Sequence, residues 1–264
     1  MSLSPGSGAK QGATQPAEAR MRLDLALVER GLYGTRSRAR DAVLRGTVRV
    51  DGVVATKASV SIAPDAWIEI DDPAGAYVSR AALKLIAGLD VFGLDPAGLS
   101  CLDIGLSTGG FAQVLLERGA AHVTGIDVGH GQVDTTLATH PRLTAIEGLN
   151  ARELTAGHLG DRPVEFVTSD VSFISVTLAL PPALALAEPG AKAVLLVKPQ
   201  FEAGREAIGK GGLLKDPSMA ESIAARLRDW LGQQAGWRAP GLAPSPIEGG
   251  DGNREFLLVG EKTG

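Results

Sequence analysis

The chain has 264 residues, 44% of them hydrophobic and 21% charged, and a formal net charge of −4. That profile fits a globular protein with a sizeable core in one or two domains, and it excludes a nucleic-acid binder that works by bulk positive charge. A single cysteine, Cys101, excludes an internal disulfide and is expected as a buried thiol in a reducing compartment. The longest uncharged stretch, residues 171–187, carries Pro181 and Pro182 and falls short of the roughly 20 apolar residues of a membrane span. With no cationic-then-apolar leader at the start, a cytoplasmic protein is expected.

Residues 1–20 are rich in Gly, Ser, Ala and Pro and are expected to be a disordered tail. A compact unit follows over residues 21–72. Leu23, Leu27 and Val28 recur at helical spacing until Gly31, and a second helix is expected from about Ser37 to Arg45, stopped by Gly46. Next, VRVDGVVA places two β-rich runs around Asp51-Gly52, a strong hairpin signal, and a further strand is expected over residues 66–70. Between Arg22 and Lys57 eight basic residues stand against four acidic ones, so this unit is cationic within an acidic chain. It resembles the S4-like RNA-binding domain. Arg22, Arg36, Arg38, Arg40 and Arg45 are then the candidate phosphate contacts, several on one helix face.

Residues 73–79 read as a turn-rich linker. From there to residue 264 strands and helices alternate, which predicts a doubly wound, mostly parallel α/β sheet of the Rossmann-like kind. VSRAALKLIAGLDVF is expected as a helix with Leu85, Leu89 and Phe92 on its apolar stripe and Lys84 off it. The strands are CLDIG, HVTGIDV, LTAIEG, PVEFVTSD, AKAVLLVK and REFLLVG, with helices over FAQVLLERG, near QVDTTLA, before Glu188 and over residues 217–234.

Apolar strands have no packing reason to end in charge, yet four end at or near Asp103, Asp127, Asp170 and Lys198. Such ends converge on one crevice at the carboxyl edge of an open α/β sheet. The turn Asp103-Ile-Gly105-Leu-Ser107-Thr108-Gly109-Gly110-Phe111 opens a helix, where glycines allow close backbone approach to a ligand. Its spacing is not GxGxxG, which argues against a dinucleotide and leaves an adenosine-type ligand. Asp127, 22 residues beyond Gly105, is placed to accept ribose hydroxyls. The four histidines show no metal-ligand spacing, so no metal is expected.

The strings YVSRAALKL, CLDIGLSTGGF, GIDVGHGQ, GLNARELT, SDVSFIS, LVKPQFE, GGLLKDP and SPIEGGDGNREFLL together resemble the TlyA family from Arg22 to Gly260. That resemblance implies an S4-like domain joined to an FtsJ-type, S-adenosylmethionine-dependent methyltransferase domain that acts on ribose 2′-hydroxyls of cytidines in ribosomal RNA. It implies a catalytic set of Lys84, Asp170, Lys198 and Glu255. It also implies a cofactor set of Asp103, Gly105, Ser107, Thr108, Gly109, Gly110, Phe111, Asp127, Asn150 and Asp170. A ribose hydroxyl is a poor nucleophile, so Lys198 is the candidate base; desolvation and a neighbouring cation such as Lys84 would ease loss of its proton. Asp170 would orient Lys198, and Glu255 would position Lys84 or the sugar.

Two departures from the family stand out. Leu106 occupies a position that is often small, where it would crowd the methionine part of the cofactor, and alanine replaces glycine at Ala81 or Ala82. The alternative is therefore an RNA-binding protein with impaired turnover. A membrane-lytic haemolysin, a label some family members carry, would need an amphipathic or spanning segment that the sequence lacks.

Overall fold

The computed structural model describes residues 20–263, so the tail expected over residues 1–20 lies, but for Arg20, outside the described residues. The chain divides into two compact units at Pro73 and Ala74.

In the first unit β1 (Met21–Arg22) leads into α1 (Leu23–Glu29), and α2 (Arg36–Leu44) follows after Thr35, whose hydroxyl accepts the Arg38 N–H. The hairpin β2 (Val48–Val50) and β3 (Val53–Val54) turns through Asp51 and Gly52, both at positive φ, as a two-residue turn of this type requires. β4 (Ser61–Ile62) pairs with β1, and β5 (Ile68–Ile70) pairs with β2. Leu23, Leu27, Ala39, Val43, Val48 and Ile62 form the core. The β1–β4 pair was not expected, because two residues per strand carry no periodicity.

The second unit opens with α3 (Ala82–Phe92), then β6 (Ser100–Ile104), α4 (Gly110–Glu117), β7 (His122–Asp127), α5 (Thr135–Ala138) and β8 (Leu143–Glu147). It continues through α6 (Ala156–Leu159), β9 (Val164–Ser169), α7 (Val176–Ala179), α8 (Pro181–Leu186), β10 (Ala187–Val197), α9 (Pro199–Glu202), α10 (Met219–Gly232), β11 (Trp237–Pro244) and β12 (Phe256–Lys262). The seven strands lie in the order β11-β12-β10-β9-β6-β7-β8. The five from β8 to β10 are parallel; β12 runs antiparallel to β10, and β11 antiparallel to β12. Chain order therefore reverses between β6 and β9, and ligands of such sheets bind at that switch.

Both faces are covered. Along β10, Leu195 and Val197 pack with α7, α8 and α10, while Val194 and Leu196 pack with α3 and α4. This explains the uninterrupted apolar run over residues 193–197 of the strand. The helix expected before Glu188 is two short helices, divided at Leu180 where Pro181 and Pro182 follow. β11 was not expected at all. Its Pro240, Gly241 and Pro244 argue against a central strand, and the sheet accommodates them by placing β11 at its edge.

Candidate active site and basic cleft

The carboxyl edge of the sheet is built by register. β10 and β12 are paired Val197 to Phe256, so Lys198 and Glu255, the next residue on each, emerge side by side. β9 and β10 are paired Ser169 to Leu195, and the same register carried on three residues brings Lys198 level with Ser172. The Lys198 Nζ sits 2.6 Å from Asp170 Oδ1 and donates to Ser172 Oγ at 2.7 Å.

Lys84 comes from α3. Gly88, one turn later on the same helix face, lets that helix approach the sheet: a Cβ there would lie 2.9 Å from Val194 Cγ1. Lys84 is thereby carried inward, 5% exposed, into an ion pair with the equally buried Glu255. Burial raises the Glu255 carboxyl above the ordinary range, against the pull of Lys84; Lys198 and Asp170 also lie close enough to act on it by charge. The two amines and two carboxylates singled out in the sequence thus form one cluster.

Beside the cluster lies a cavity of about 600 Å³. Ile104, Ile126, Leu149 and Val171 give it apolar walls, and Asp127, Asn150 and Asp170 line it with polar groups. Asp127 already accepts the N–H groups of Ser107 at 2.7 Å and Gly129 at 2.8 Å, which fix its carboxylate at the rim. Gly105 has φ +90°, and a Cβ on it would stand 2.9 Å from the Asp170 carbonyl oxygen. Only glycine fits where the glycine-rich turn crosses the end of β9.

Of the sequence-derived cofactor set, Gly105, Ser107, Asp127, Asn150 and Asp170 line the cavity; Asp103, Thr108, Gly109, Gly110 and Phe111 do not. Asp103 lies wholly buried, accepting the Thr168 hydroxyl at 2.8 Å. Loss of water pushes its carboxyl up to about 7, with Asp170 and Asp127 adding to the shift. Phe111 packs into the core on the α3 and α4 face of the sheet, and Gly110 is buried at the start of α4. Leu106 is 2% exposed and turned toward Gly125, whose Cβ would meet its side chain at 2.6 Å. The expected crowding of the cavity by Leu106 therefore has no counterpart.

Ser172, Phe173 and Gln132 line the cavity although the sequence reading did not single them out. Phe173 is the conspicuous one: 91% exposed, at φ +65°, its ring 5.0 Å from that of Phe201. An aromatic side chain in the short loop DVSFIS that follows the strand was the available signal.

In the first unit a second cleft, of about 570 Å³, is lined by Arg22, Arg36, Arg40 and Lys57 together with Ser37 and Ser59. Arg38 lies on the same helix outside that lining, and Arg45 is held by Asp41 and Asp72. Among the described residues no helix is long and apolar enough to cross a membrane.

Residues 77–262 match the model of the FtsJ-like methyltransferase family, and residues 21–68 that of the S4 domain. A Mycobacterium tuberculosis protein named 16S/23S rRNA (cytidine-2′-O)-methyltransferase TlyA is 43% identical over 90% of this chain and 89% of its own length. Hemolysin A of Brachyspira hyodysenteriae is 37% identical over 90% of this chain and 98% of its own. A solved structure from Streptococcus thermophilus, also bearing a hemolysin label, superposes with a TM-score of 0.73 at 36% identity, covering 94% of this chain and 90% of that one. The chain is a methyltransferase-fold protein with an S4 domain at its amino end, and it belongs to the TlyA family.

Proposed function

We propose that this protein methylates the 2′-hydroxyl of cytidine ribose in ribosomal RNA, with S-adenosylmethionine as donor and Lys84, Asp170, Lys198 and Glu255 as its catalytic set. The observation that carries the reading is the placement of Lys198: between a carboxylate and a hydroxyl, at the edge of a cavity whose size and lining suit a nucleoside. The activity named for the M. tuberculosis relative supports the substrate.

The cavity fits the donor. Its apolar walls suit an adenine, Asp127 and Asn150 offer acceptors to a ribose, and Gly105 leaves a cradle that any side chain would fill. When bound, S-adenosylmethionine supplies a methyl group made electrophilic by its sulfonium.

The residues of this chain prepare the hydroxyl. In its neutral form Lys198 has two N–H bonds and one lone pair. One N–H is donated to Ser172, the Asp170 carboxylate stands within ion-pair distance, and the lone pair can take the proton of a ribose hydroxyl. Lys84 brings a positive charge to the cluster in a site with little water, where it stabilises the negative charge developing on the sugar oxygen. Glu255 holds Lys84 in place, and Phe173 presents a ring on which the target base can stack. The arginine-lined cleft of the S4 unit holds phosphates and so fixes where the RNA sits.

The test is to incubate the full chain with ribosomal subunits and donor labelled in the methyl group, then map the modified nucleotide. A 2′-O-methylcytidine that disappears with Lys198→Ala is expected. Label on a base, or none at all with donor bound, refutes the reading.

A further inference from the structure

The S4 cleft contains one buried acid among its cations. Asp24 is 4% exposed at the start of α1. Arg22 donates to its Oδ1 through Nε at 3.0 Å and to its Oδ2 through Nη2 at 2.9 Å, and Arg36 donates to the same Oδ2 at 3.0 Å. These bonds, those from Arg22 first, hold the Asp24 carboxyl well below the usual range, so it stays ionised wherever RNA binds.

Two guanidiniums repel each other, and long side chains that are half exposed would splay apart without a shared partner. Each guanidinium carries five N–H donors. Asp24 takes two from Arg22 and one from Arg36, which leaves three and four for another acceptor. Arg40, Lys57, Ser37 and Ser59 border the same cleft. The arrangement is a pair of forks set side by side at the separation imposed by one carboxylate.

We propose that Asp24 is the positioning acid of a phosphate-binding site in the S4 unit, holding Arg22 and Arg36 ready to clasp the RNA backbone. The inference rests on the reading of this cleft as the RNA-docking surface, and it adds a claim whose sign is opposite to that of simple charge. By charge alone, removing an anion from a phosphate site strengthens binding. By positioning, its removal weakens binding, because two rotamer-rich side chains must then be ordered by the RNA itself, each at a cost of about threefold to tenfold in affinity.

The measurement is the affinity of the full chain for ribosomal RNA across a salt series, with Asp24→Asn, Arg36→Ala, the pair Arg22→Ala and Arg36→Ala, and the triple variant. Asp24→Asn is expected to bind about tenfold more weakly than the parent with donor affinity unchanged, although the protein has lost a negative charge. In the background lacking both arginines, the same substitution is expected to have no weakening effect. Unchanged or tighter binding by Asp24→Asn overturns the proposal, as does weakening that persists without the arginines, which would mark Asp24 as a strut of the fold. If Arg36→Ala leaves both affinity and salt slope unchanged, the RNA-docking reading of the cleft fails first. Should Asp24→Asn unfold the unit, Arg22→Lys serves instead: it keeps the charge, alters a half-exposed residue, and loses the two-point bond to Asp24. It is then expected to weaken binding severalfold, and parent-like affinity overturns the proposal.

Discussion

The Lys84–Glu255 ion pair offers the sharpest separation of structural from chemical roles in the site. Its side chains are only 7% and 3% exposed, so each charge depends on the other for its stability. Removing one partner strands a buried charge and costs about 3–5 kcal/mol, a large part of the roughly 5–15 kcal/mol that keeps a domain folded. Replacing both with apolar side chains of similar volume is neutral or stabilising by about 1–4 kcal/mol. The direction of the Glu255 shift points the same way: burial raises its carboxyl despite Lys84, so loss of water outweighs pairing. Lys84→Met and Glu255→Met alone are therefore each expected to lower the urea midpoint of the second unit by about 1–2 M, given a slope of ~2–3 kcal/mol/M. The combination is expected to return to within ~1 kcal/mol of the parent. Methyl transfer must not follow stability back: the double variant is expected to stay at least about 100-fold slower, since positioned charge in such sites contributes on that scale. Urea unfolding read by amide exchange in the second unit, and methyl transfer on the same preparations, measure both. A double variant that regains folding and turnover together would refute the catalytic role and leave only a strut.

Four further outcomes are expected. Lys198→Ala abolishes methyl transfer while donor affinity, measured by calorimetry, stays within about twofold, because Lys198 does not line the donor cavity. Ser172→Ala lowers kcat by about tenfold with little change in KM for RNA, and Ser172→Thr recovers most of it; equal losses from both would show that the hydroxyl does not orient Lys198. Gly105→Ala, strained at φ +90° and in collision with the Asp170 backbone, weakens donor binding and slows transfer together, as equilibrium binding and initial rates would show. The Asp103 carboxyl titrates at about 7 when folded and near 3.8 when unfolded, so the folded state binds the extra proton in between. That proton's stabilisation is complete below pH 4, falls as pH rises toward 7 and is gone above it, at most about 4 kcal/mol in all. Asp103→Asn should flatten this part of the profile in thermal melts of the second unit between pH 4 and 8.

Much of the site could be read from strand ends. PVEFVTSD and AVLLVK are buried on both faces, so the charge that closes each run is visible as an interruption of an apolar pattern. Glu255 could be placed only by assuming that the last strand runs antiparallel, which it does. Lys84 was legible as a motif but not as a position. Hydrophobic periodicity put the apolar stripe of its helix on Leu85, Leu89 and Phe92, whereas the face that meets the sheet also includes Gly88, a residue that contributes nothing to an apolar count. Leu106 misled for the complementary reason. Its place in a glycine-rich turn suggested contact with a ligand, yet the turn directs it at Gly125 on the neighbouring strand. β11 was hidden by its prolines, and the pairing of Arg22 and Arg36 through Asp24 spans a loop that no local pattern reports.

The proposed catalytic set depends on register more than on any local motif. Asp170, Lys198 and Glu255 leave three adjacent strands, β9, β10 and β12, whose axes lie roughly 4.8 Å apart. Side chains of a strand alternate between faces, so a slip of one residue between β10 and β12 would turn Glu255 away from Lys198 and toward the opposite layer. What prevents the slip is the alternation itself: Leu257 and Val259 pack toward α3 and α4, whereas Phe256 and Leu258 pack toward α7, α8 and α10. Both layers would have to be rebuilt to accommodate the shifted strand. The two-sided apolar core is thus what holds an acid and an amine 57 residues apart in sequence at neighbouring ends of the sheet. Core substitutions on β12 should accordingly reduce turnover before they unfold the protein, because the reacting groups tolerate less displacement than the fold does.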